Sequence, residues 1–372
     1  MEKTYQSVSD FYAGKSVFIT GATGFVGRVL VERLIYTCKD IETVYILIRP
    51  KKSTTLHIKI KFQIFTKLKE TRPQDLSKIV PIAGDVGDVR LGISLDDEQT
   101  LIERVSVVFH SAANVKFRAP LADLIQINYE GTKNVLELTK KIKKINVSEY
   151  ENNYVFSKHM GEAYVPMNQG NIPAVIVRPS MVYKEPLKGY TDSWVTGTGL
   201  LCDVASGLTR VVYGSKDVVA EIIPVDYVSN FLIVVAYTYK GTEKVCFILL
   251  VLPFPMVYFT KARWAMPVLI FLSQVVPAFA ADAWRRLTGR QPRYIKLLKS
   301  AIARNDLSIA VTGSSWDVRA TQTRELLSTL NDEDRFTFPC DPGTIDWDEY
   351  VPIYCKGVKD HMLTRKNDKK KL

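Results

Sequence analysis

A glycine-rich turn set directly behind a short apolar run constrains this chain more than any other feature. Val17-Phe18-Ile19 reads as a buried strand, and Thr20-Gly21-Ala22-Thr23-Gly24-Phe25-Val26-Gly27 follows it without a break. Gly21 permits a tight turn off the strand, Gly24 lets backbone approach a pyrophosphate, and Gly27 allows close helix–strand packing. The flank Phe25, Val26, Val29, Leu30, Leu34, Ile35 has helical spacing, and Val44 to Ile48 reads as the next buried strand. A helix N-terminus at such a turn stabilises phosphate charge, so a dinucleotide redox cofactor is expected, held by Thr20, Gly21, Thr23, Gly24, Phe25, Val26 and Gly27.

The end of the second strand bears on which dinucleotide. An acidic residue there would accept a ribose 2′-hydroxyl, whereas Arg49, Lys51 and Lys52 offer cations to a 2′-phosphate. NADPH is therefore the expected cofactor, against the alternative that the three are solvated loop charges. Ile79 to Asp85 and Val105 to His110 read as a third and a fourth strand, short and bounded as buried parallel strands are. Asp85, with Val86 after it, sits where an adenine amino group could be bonded. His110-Ser111-Ala112-Ala113 supplies small residues where backbone passes the cofactor. A helix over Leu121 to Lys140 carries Asn128 and turns Val135, Leu136 and Leu138 inward. His110 reads as a packed histidine, because none of the four histidines stands at metal-ligand spacing from another; no metal site is expected.

With 372 residues the chain has room for a Rossmann domain and a smaller partner. Its formal charge of +11 suits phosphorylated cofactors, coenzyme A or anionic membranes, but no basic helix with interleaved aromatics points to nucleic acid. Cys38, Cys202, Cys246, Cys340 and Cys355 are scattered and form no Cys-x-x-Cys pair, which argues against a disulfide framework or a zinc site. Met1 to Asp10 lacks an apolar signal core. A reducing, cytosol-facing location is expected.

A second chemical signal is Tyr154-Val155-Phe156-Ser157-Lys158. Four residues apart, the phenol and the ammonium share one helix face, and the cation favours phenolate. Tyr154 and Lys158 are the expected catalytic pair, Tyr154 moving a proton near neutral pH.

Taken together these segments resemble the extended short-chain dehydrogenases, and within them the alcohol-forming fatty acyl-CoA reductases abundant in insects. The likeness is carried by Gly21 to Gly27, Leu47 to Lys52, Gly84-Asp85-Val86, Ile127 to Leu138 and Ile223 to Val228. Leu287 to Pro292 and the aromatics Trp316, Phe336, Phe338, Trp347 and Tyr350 extend it. Read from the residues alone, those aromatics would form a small core. The resemblance implies an α/β fold, a Rossmann-type doubly wound parallel sheet followed by a smaller, mainly helical C-terminal domain. It divides the chain into an NADPH-binding reductase domain of the male-sterility type over 14–240, an apolar segment over 241–284, a helical domain over 285–362 and a basic tail over 363–372. It further implies reduction of long-chain acyl-CoA to a primary alcohol through an aldehyde, with Tyr154 protonating the oxygen and Lys158 holding the nicotinamide ribose and tuning Tyr154.

One departure from the family pattern is plain. In the family a strand ending in Ser or Thr, which shares the oxyanion with the tyrosine, precedes the Tyr-x-x-x-Lys helix, and a long loop follows the strand. Here Lys140 to Asn153 is too polar for a central strand and too short for strand plus loop. Ser148, six residues before Tyr154, is too near it to end such a strand. A second shortening falls near Glu243 to Val251. Three readings follow: an acyl-CoA reductase, a pseudoenzyme that keeps NADPH and acyl-chain sites, and a sugar-nucleotide epimerase or dehydratase, which leaves the C-terminal aromatics unaccounted for.

Val245 to Phe259 and Pro267 to Ala281 are apolar yet shorter than a spanning helix needs. They read as a membrane hairpin, as interfacial segments or as core. Arg285 and Arg286 behind them suit anionic headgroups. Lys369 and Lys370 lie fourth and third from the last residue, a retrieval pattern on cytosolic tails or a solvated tail. The expected location is the cytosolic face of the endoplasmic reticulum, with peroxisome or lipid droplet as alternatives.

Overall fold

Continuous rather than alternating apolar runs build the sheet. A short helix α1 (Val8–Tyr12) leads into β1 (Ser16–Thr20), whose Val17, Phe18 and Ile19 are fully buried, as a strand covered on both faces requires. Helix α2 (Phe25–Thr37) crosses over to β2 (Thr43–Ile48), burying Val29, Leu30, Leu34 and Ile35. After α3 (Thr66–Thr71) comes β3 (Ile79–Ala83), and α4 (Leu95–Arg104) returns the chain to β4 (Val105–His110). Ser94 caps α4 by accepting the Asp97 N–H at 3.1 Å. The four strands run parallel in the order β3-β2-β1-β4. Connections leave β1 in opposite directions in that order, which opens a crevice at the carboxyl ends of β1 and β4. The expected α/β Rossmann-type sheet is thus present.

The computed structural model describes residues 5–50, 63–114, 119–142, 164–165, 167–168, 175–179, 181–183, 197–213, 222–238, 246–248, 258–260, 262, 264–312 and 321–358. Two units interleave along the chain. One takes Met1–Pro179, Pro224–Phe247 and Ala320–Gly343; the other takes Ser180–Ile223, Ile248–Arg319 and Thr344–Leu372.

In the first unit the helix expected over Leu121 to Lys140 forms as α5 (Leu121–Ile125), a π-helical turn (Gln126–Glu130) and α6 (Gly131–Ile142). Val135, Leu136 and Leu138 are buried as expected, and Val135 and Leu138 join Phe18, Leu47, Ile82 and Leu101 in one core. The segment 320–343 belongs to this unit through polar contacts that link distant parts of the sequence. Asp334 accepts from the Tyr5 hydroxyl at 2.7 Å and from the Val8 N–H at 3.0 Å. Arg33 of α2 donates to Asn230 Oδ1 and to the Thr337 carbonyl, both at 2.8 Å, and Asn230 donates to the Pro339 carbonyl at 2.8 Å.

This corrects the reading of the C-terminal aromatics as one small core. Phe338 is fully buried in the first unit, whereas Trp347 and Tyr350 pack edge to face at 5.3 Å in the second. Phe336 is exposed, because the one-and-a-half-turn helix Asp332–Thr337 points it outward and the chain bends inward only after it. Trp316 lies outside the described residues.

The second unit is mainly helical. It holds the helices Gly197–Ala205, Tyr294–Thr312 and Trp347–Val358, with Val211–Tyr213 paired in parallel to Tyr258–Thr260. Thr198 and Tyr354 share a buried hydroxyl–hydroxyl bond of 2.6 Å. A continuous helix runs from Met266 to Leu287. Its middle turn, Phe271–Val275, is π-helical just ahead of Pro277, which has no N–H to give and whose ring needs the wider turn. Of the two apolar stretches, Val245 to Phe259 includes the strand Cys246–Ile248 and meets the strand Tyr258–Thr260 at its far end. Its residues 249–257 lie outside the described residues, and the hairpin reading with them. Among the described residues only Met266–Leu287 is long and apolar enough to cross a membrane.

One buried charge in the first unit makes stability depend on pH. Glu32 of α2 is 3% exposed and its Oε2 has no hydrogen-bond partner among the described residues. Burial pushes its carboxyl up from an ordinary 4.5 to about 7; Asp226 adds to the shift, while Arg33, Lys67 and Arg72 oppose it. Between those two values the folded chain keeps a proton that the unfolded chain has released. This group's contribution is therefore fully present below pH 4.5 and is lost as pH rises through about 7. Glu32→Gln should stabilise the protein by about 3 kcal/mol at pH 8 and by almost nothing at pH 4.5. Denaturant unfolding at both pH values checks this, and an equal gain at both would refute the assignment.

Candidate active site

The crevice is built where β1 and β4 end. Gly21, with φ +72°, turns the chain off β1 so closely that an added Cβ would lie 2.6 Å from the Ala112 nitrogen and 2.7 Å from the Ser111 carbonyl carbon. A Cβ on Gly27 would lie 2.4 Å from the Gly21 carbonyl oxygen, so α2 packs directly beneath the turn. The Gly24 N–H closes the turn onto the Gly21 carbonyl at 2.8 Å, and Gly24 begins α2 with no side chain capping the helix. Thr23 and Gly24 are exposed, and Phe25 and Val26 are half-buried on the first turn of α2. Side chains are thereby excluded and helix N–H groups presented, which is the cradle a dinucleotide pyrophosphate needs. The residues fit the group.

A hydroxyl–imidazole relay locks the floor of this crevice. The Thr132 hydroxyl donates to the Asn128 carbonyl at 2.7 Å and so accepts from His110 Nε2 at 3.2 Å. His110 Nδ1 and the buried Thr20 hydroxyl are hydrogen-bonded at 2.6 Å, and Thr20 Oγ1 takes the Ala112 N–H at 3.4 Å. His110 is thus a packed histidine joining β1, β4 and α6. The Ser111 hydroxyl donates to the Thr20 carbonyl at 2.8 Å, drawing the β4 loop against the turn.

Asn128 is fully buried within the π-helical turn. Its amide accepts the Asn114 N–H at 2.8 Å and donates to the Asn114 carbonyl at 3.1 Å, which positions the loop behind Ala112 and Ala113. Asn134, which sequence reasoning did not single out, ties down the loop after β3 by donating to the carbonyls of Val86 at 3.0 Å and Asp88 at 2.9 Å. Its only sequence signal is its place two turns after Asn128 on the same helix. Val86 is buried in the core. Asp85 accepts the Gly87 N–H at 3.1 Å and pairs with Arg49 at 3.5 Å, so both residues expected at the adenosine end stand together, with Arg49 mostly exposed.

Tyr154 and Lys158 lie outside the described residues, as do Lys51 and Lys52. The nearest described residue downstream, Tyr164, rests on α6: its ring meets Tyr129 edge to face at 5.6 Å and its hydroxyl donates to Glu137 at 3.2 Å. Burial, followed by the Glu137 carboxylate, pushes its phenol up to about 12.

Comparison with known proteins agrees with this geometry. A family model described as male sterility protein matches residues 19–150 and 145–232, and a second model of the same description matches 273–365. Fatty acyl-CoA reductase 2 of Mus musculus is 30% identical over 96% of this chain and 86% of its own length. The chain belongs to the fatty acyl-CoA reductase family. Fatty acyl-CoA reductase 1 of Xenopus laevis is 28% identical over 96% of the chain and 86% of its own. Membership brings a nicotinamide-dinucleotide-binding domain with it. Among solved structures, the terminal R domain from the myxalamid PKS-NRPS biosynthetic pathway shares the fold with a TM-score of 0.66, at 21% identity over 93% of this chain and 91% of that one.

The family comparison also locates a shortening. The first model matches in two pieces that overlap at 145–150, within the stretch Lys140 to Asn153 whose composition and length depart from the family pattern. The alignment to the mouse reductase spans 444 positions, more than the 372 residues of the chain. The relative therefore holds internal residues with no counterpart here.

Proposed function

We propose that this protein reduces long-chain fatty acyl-CoA to the primary alcohol through the aldehyde, using NADPH, at a membrane surface. The carrying observation is the crevice itself: a side-chain-free turn over the N-terminus of α2, backed by the Thr20–His110–Thr132 relay, in a chain matched to fatty acyl-CoA reductases through both its domains. Bound there, NADPH would supply the hydride for each of the two reductions.

The chain's own residues supply the rest. Gly21, Gly24 and Gly27 keep side chains away from the pyrophosphate, and Arg49 offers its guanidinium to the 2′-phosphate in place of Asp85. Asn128 fixes the β4 loop and with it Ala112, which flanks the cofactor. Tyr154 protonates the oxygen on which negative charge develops, first as the thioester carbonyl takes a hydride to become a hemithioacetal, which then expels the coenzyme A thiol and leaves the aldehyde, and again as the aldehyde takes a second hydride to become the alcohol. Lys158, four residues on, lowers the cost of the phenolate left behind.

A second reading, NADPH and acyl-chain binding with little turnover, is favoured by the departure from the family pattern over Lys140 to Asn153. An epimerase reading leaves the match over 273–365 without a purpose. The test is purified protein with a long-chain acyl-CoA and either NADPH or NADH, scored for fatty alcohol and for cofactor affinity. NADPH should bind about tenfold or more tightly than NADH, the difference that one charge-assisted phosphate contact provides, and Arg49→Ala should remove the preference. Equal affinity for both cofactors in the unaltered chain would overturn the NADPH assignment. Absence of alcohol even after the missing segment is restored would overturn the reaction.

A further inference from the structure

We propose that the helix Met266–Leu287 is an in-plane anchor that lies along the surface of an anionic phospholipid membrane and does not cross it. The proposal rests on the membrane-surface reading above and fixes its mode. Its 22 residues are long enough to span a bilayer, so length alone does not choose. The arrangement of its faces does. The side turned into the second unit carries Gln274 and Asp282, each 5% exposed, beside Met266. The Asp282 carboxylate accepts the backbone N–H groups of Arg293, Tyr294 and Ile295 at 2.7, 2.9 and 2.9 Å, which closes the start of the following helix, Tyr294–Thr312. The side turned out is apolar: Val268, Phe271, Leu272, Phe279, Trp284 and Leu287 are all exposed, Leu272 by 60% and Phe279 by 65%.

A water-exposed helix normally has the opposite polarity, and so large an exposed apolar face marks a surface that another phase covers. Crossing would require stripping the helix from its unit, breaking the three bonds to Asp282 and carrying a carboxylate and an amide into lipid. Lying flat requires none of this.

Charge selects the lipid. No charged residue occurs from Trp264 to Ala281, and then Arg285, Arg286, Arg290 and Arg293 follow within a few residues, the last three exposed. Guanidinium groups at the end of an apolar face match a phosphate headgroup layer above acyl chains. Trp264 and Trp284, both exposed near the two ends, suit the same depth. Reactant chemistry agrees, since a long-chain alcohol leaves for a membrane and not for water.

The experiment is flotation of the full chain with vesicles of zwitterionic phospholipid alone or with a third of anionic phospholipid. The chain should float with the anionic vesicles, and Phe271→Glu with Phe279→Glu should weaken binding by about a hundredfold or more, because two large apolar side chains no longer enter the interface. Both positions are exposed, so cofactor binding in solution should be unchanged. Arg286→Glu with Arg290→Glu should reduce binding to the anionic vesicles only. Versions with a single tryptophan at 264, 272 or 284, read by depth-dependent quenching from brominated lipid, should report one shallow depth at all three positions. A deep 272 between two shallow ends would show a crossing helix and overturn the in-plane mode. Absence of flotation, or concentration-dependent pairing of the chain in place of vesicle binding, would overturn the membrane assignment. Reduction of acyl-CoA in lipid-free solution reads the enzymatic proposal separately from both.

Discussion

Inserting before Tyr154 the strand and loop that the family pattern calls for should raise fatty alcohol formation by about a hundred- to a thousandfold over the chain as it stands. The size of the effect follows from what the shortening removes. A strand ending in a hydroxyl would share the developing oxyanion with Tyr154, and loss of one such donor typically lowers turnover by that factor. A central strand absent from that position would also leave sheet edges unpaired and displace Tyr154, and a displacement of about 1 Å can cost around a hundredfold by itself. The measurement is alcohol formed from a long-chain acyl-CoA and NADPH by both versions, with Tyr154→Phe abolishing it in the restored one. Fast turnover by the unaltered chain would mean that the residues around Ser148 replace the strand, and the proposed impairment would be wrong.

Gly21→Ala should destabilise the first unit by about 2 to 5 kcal/mol and abolish cofactor binding. Two costs add at this position. A left-handed φ of +72° is unfavourable for any residue with a Cβ, by about 1 to 2 kcal/mol. The Cβ would also sit 2.6 Å from the Ala112 backbone nitrogen, a contact that neither strand end can relieve without breaking the Thr20 relay, and overpacking of this kind costs about 1 to 3 kcal/mol or more. Together they remove a large part of an ordinary domain's stability of about 5 to 15 kcal/mol. Gly14→Ala is the control. Its φ is +66° but nothing lies within 4 Å of the added carbon, so only the backbone cost should appear. Equal destabilisation by the two substitutions would show that the close approach of β1 and β4 is not what requires Gly21.

Much of the first unit was legible because its signals are local. Val17-Phe18-Ile19, Val44 to Ile48 and Val105 to His110 are short, mainly apolar runs, and each forms a parallel strand where its pattern placed it, buried in β1 and β2 and only partly buried in β4. The spacing of Val135, Leu136 and Leu138 named the inward face of α6 correctly. The glycine turn was readable for the same reason: each glycine answers a demand set by backbone a few residues away. Sequence also suggested that Asn128 matters, but not how, because its partner Asn114 lies across a loop and the π-helical turn that aims its amide has no compositional mark.

What the sequence determined by itself is the order of strand, turn and helix, the exclusion of side chains from the phosphate turn, and the family, through residues whose spacing is chemically demanding. Tertiary structure alone decided three further matters. Asp334 joins Tyr5 and Val8 more than three hundred residues away, so 320–343 completes the first unit although it follows the C-terminal helices in sequence. The aromatics near the C-terminus divide between two units. The helix Met266–Leu287 turns its amide and its carboxylate inward and its Leu, Phe and Trp side chains outward. Apolarity belongs to a residue and can be read from its name, but exposure is a relation between a residue and whatever packs against it. For this helix the decisive neighbour is the N-terminus of Tyr294–Thr312, whose N–H groups lack partners within their own helix, hold Asp282 and so fix which face is left exposed.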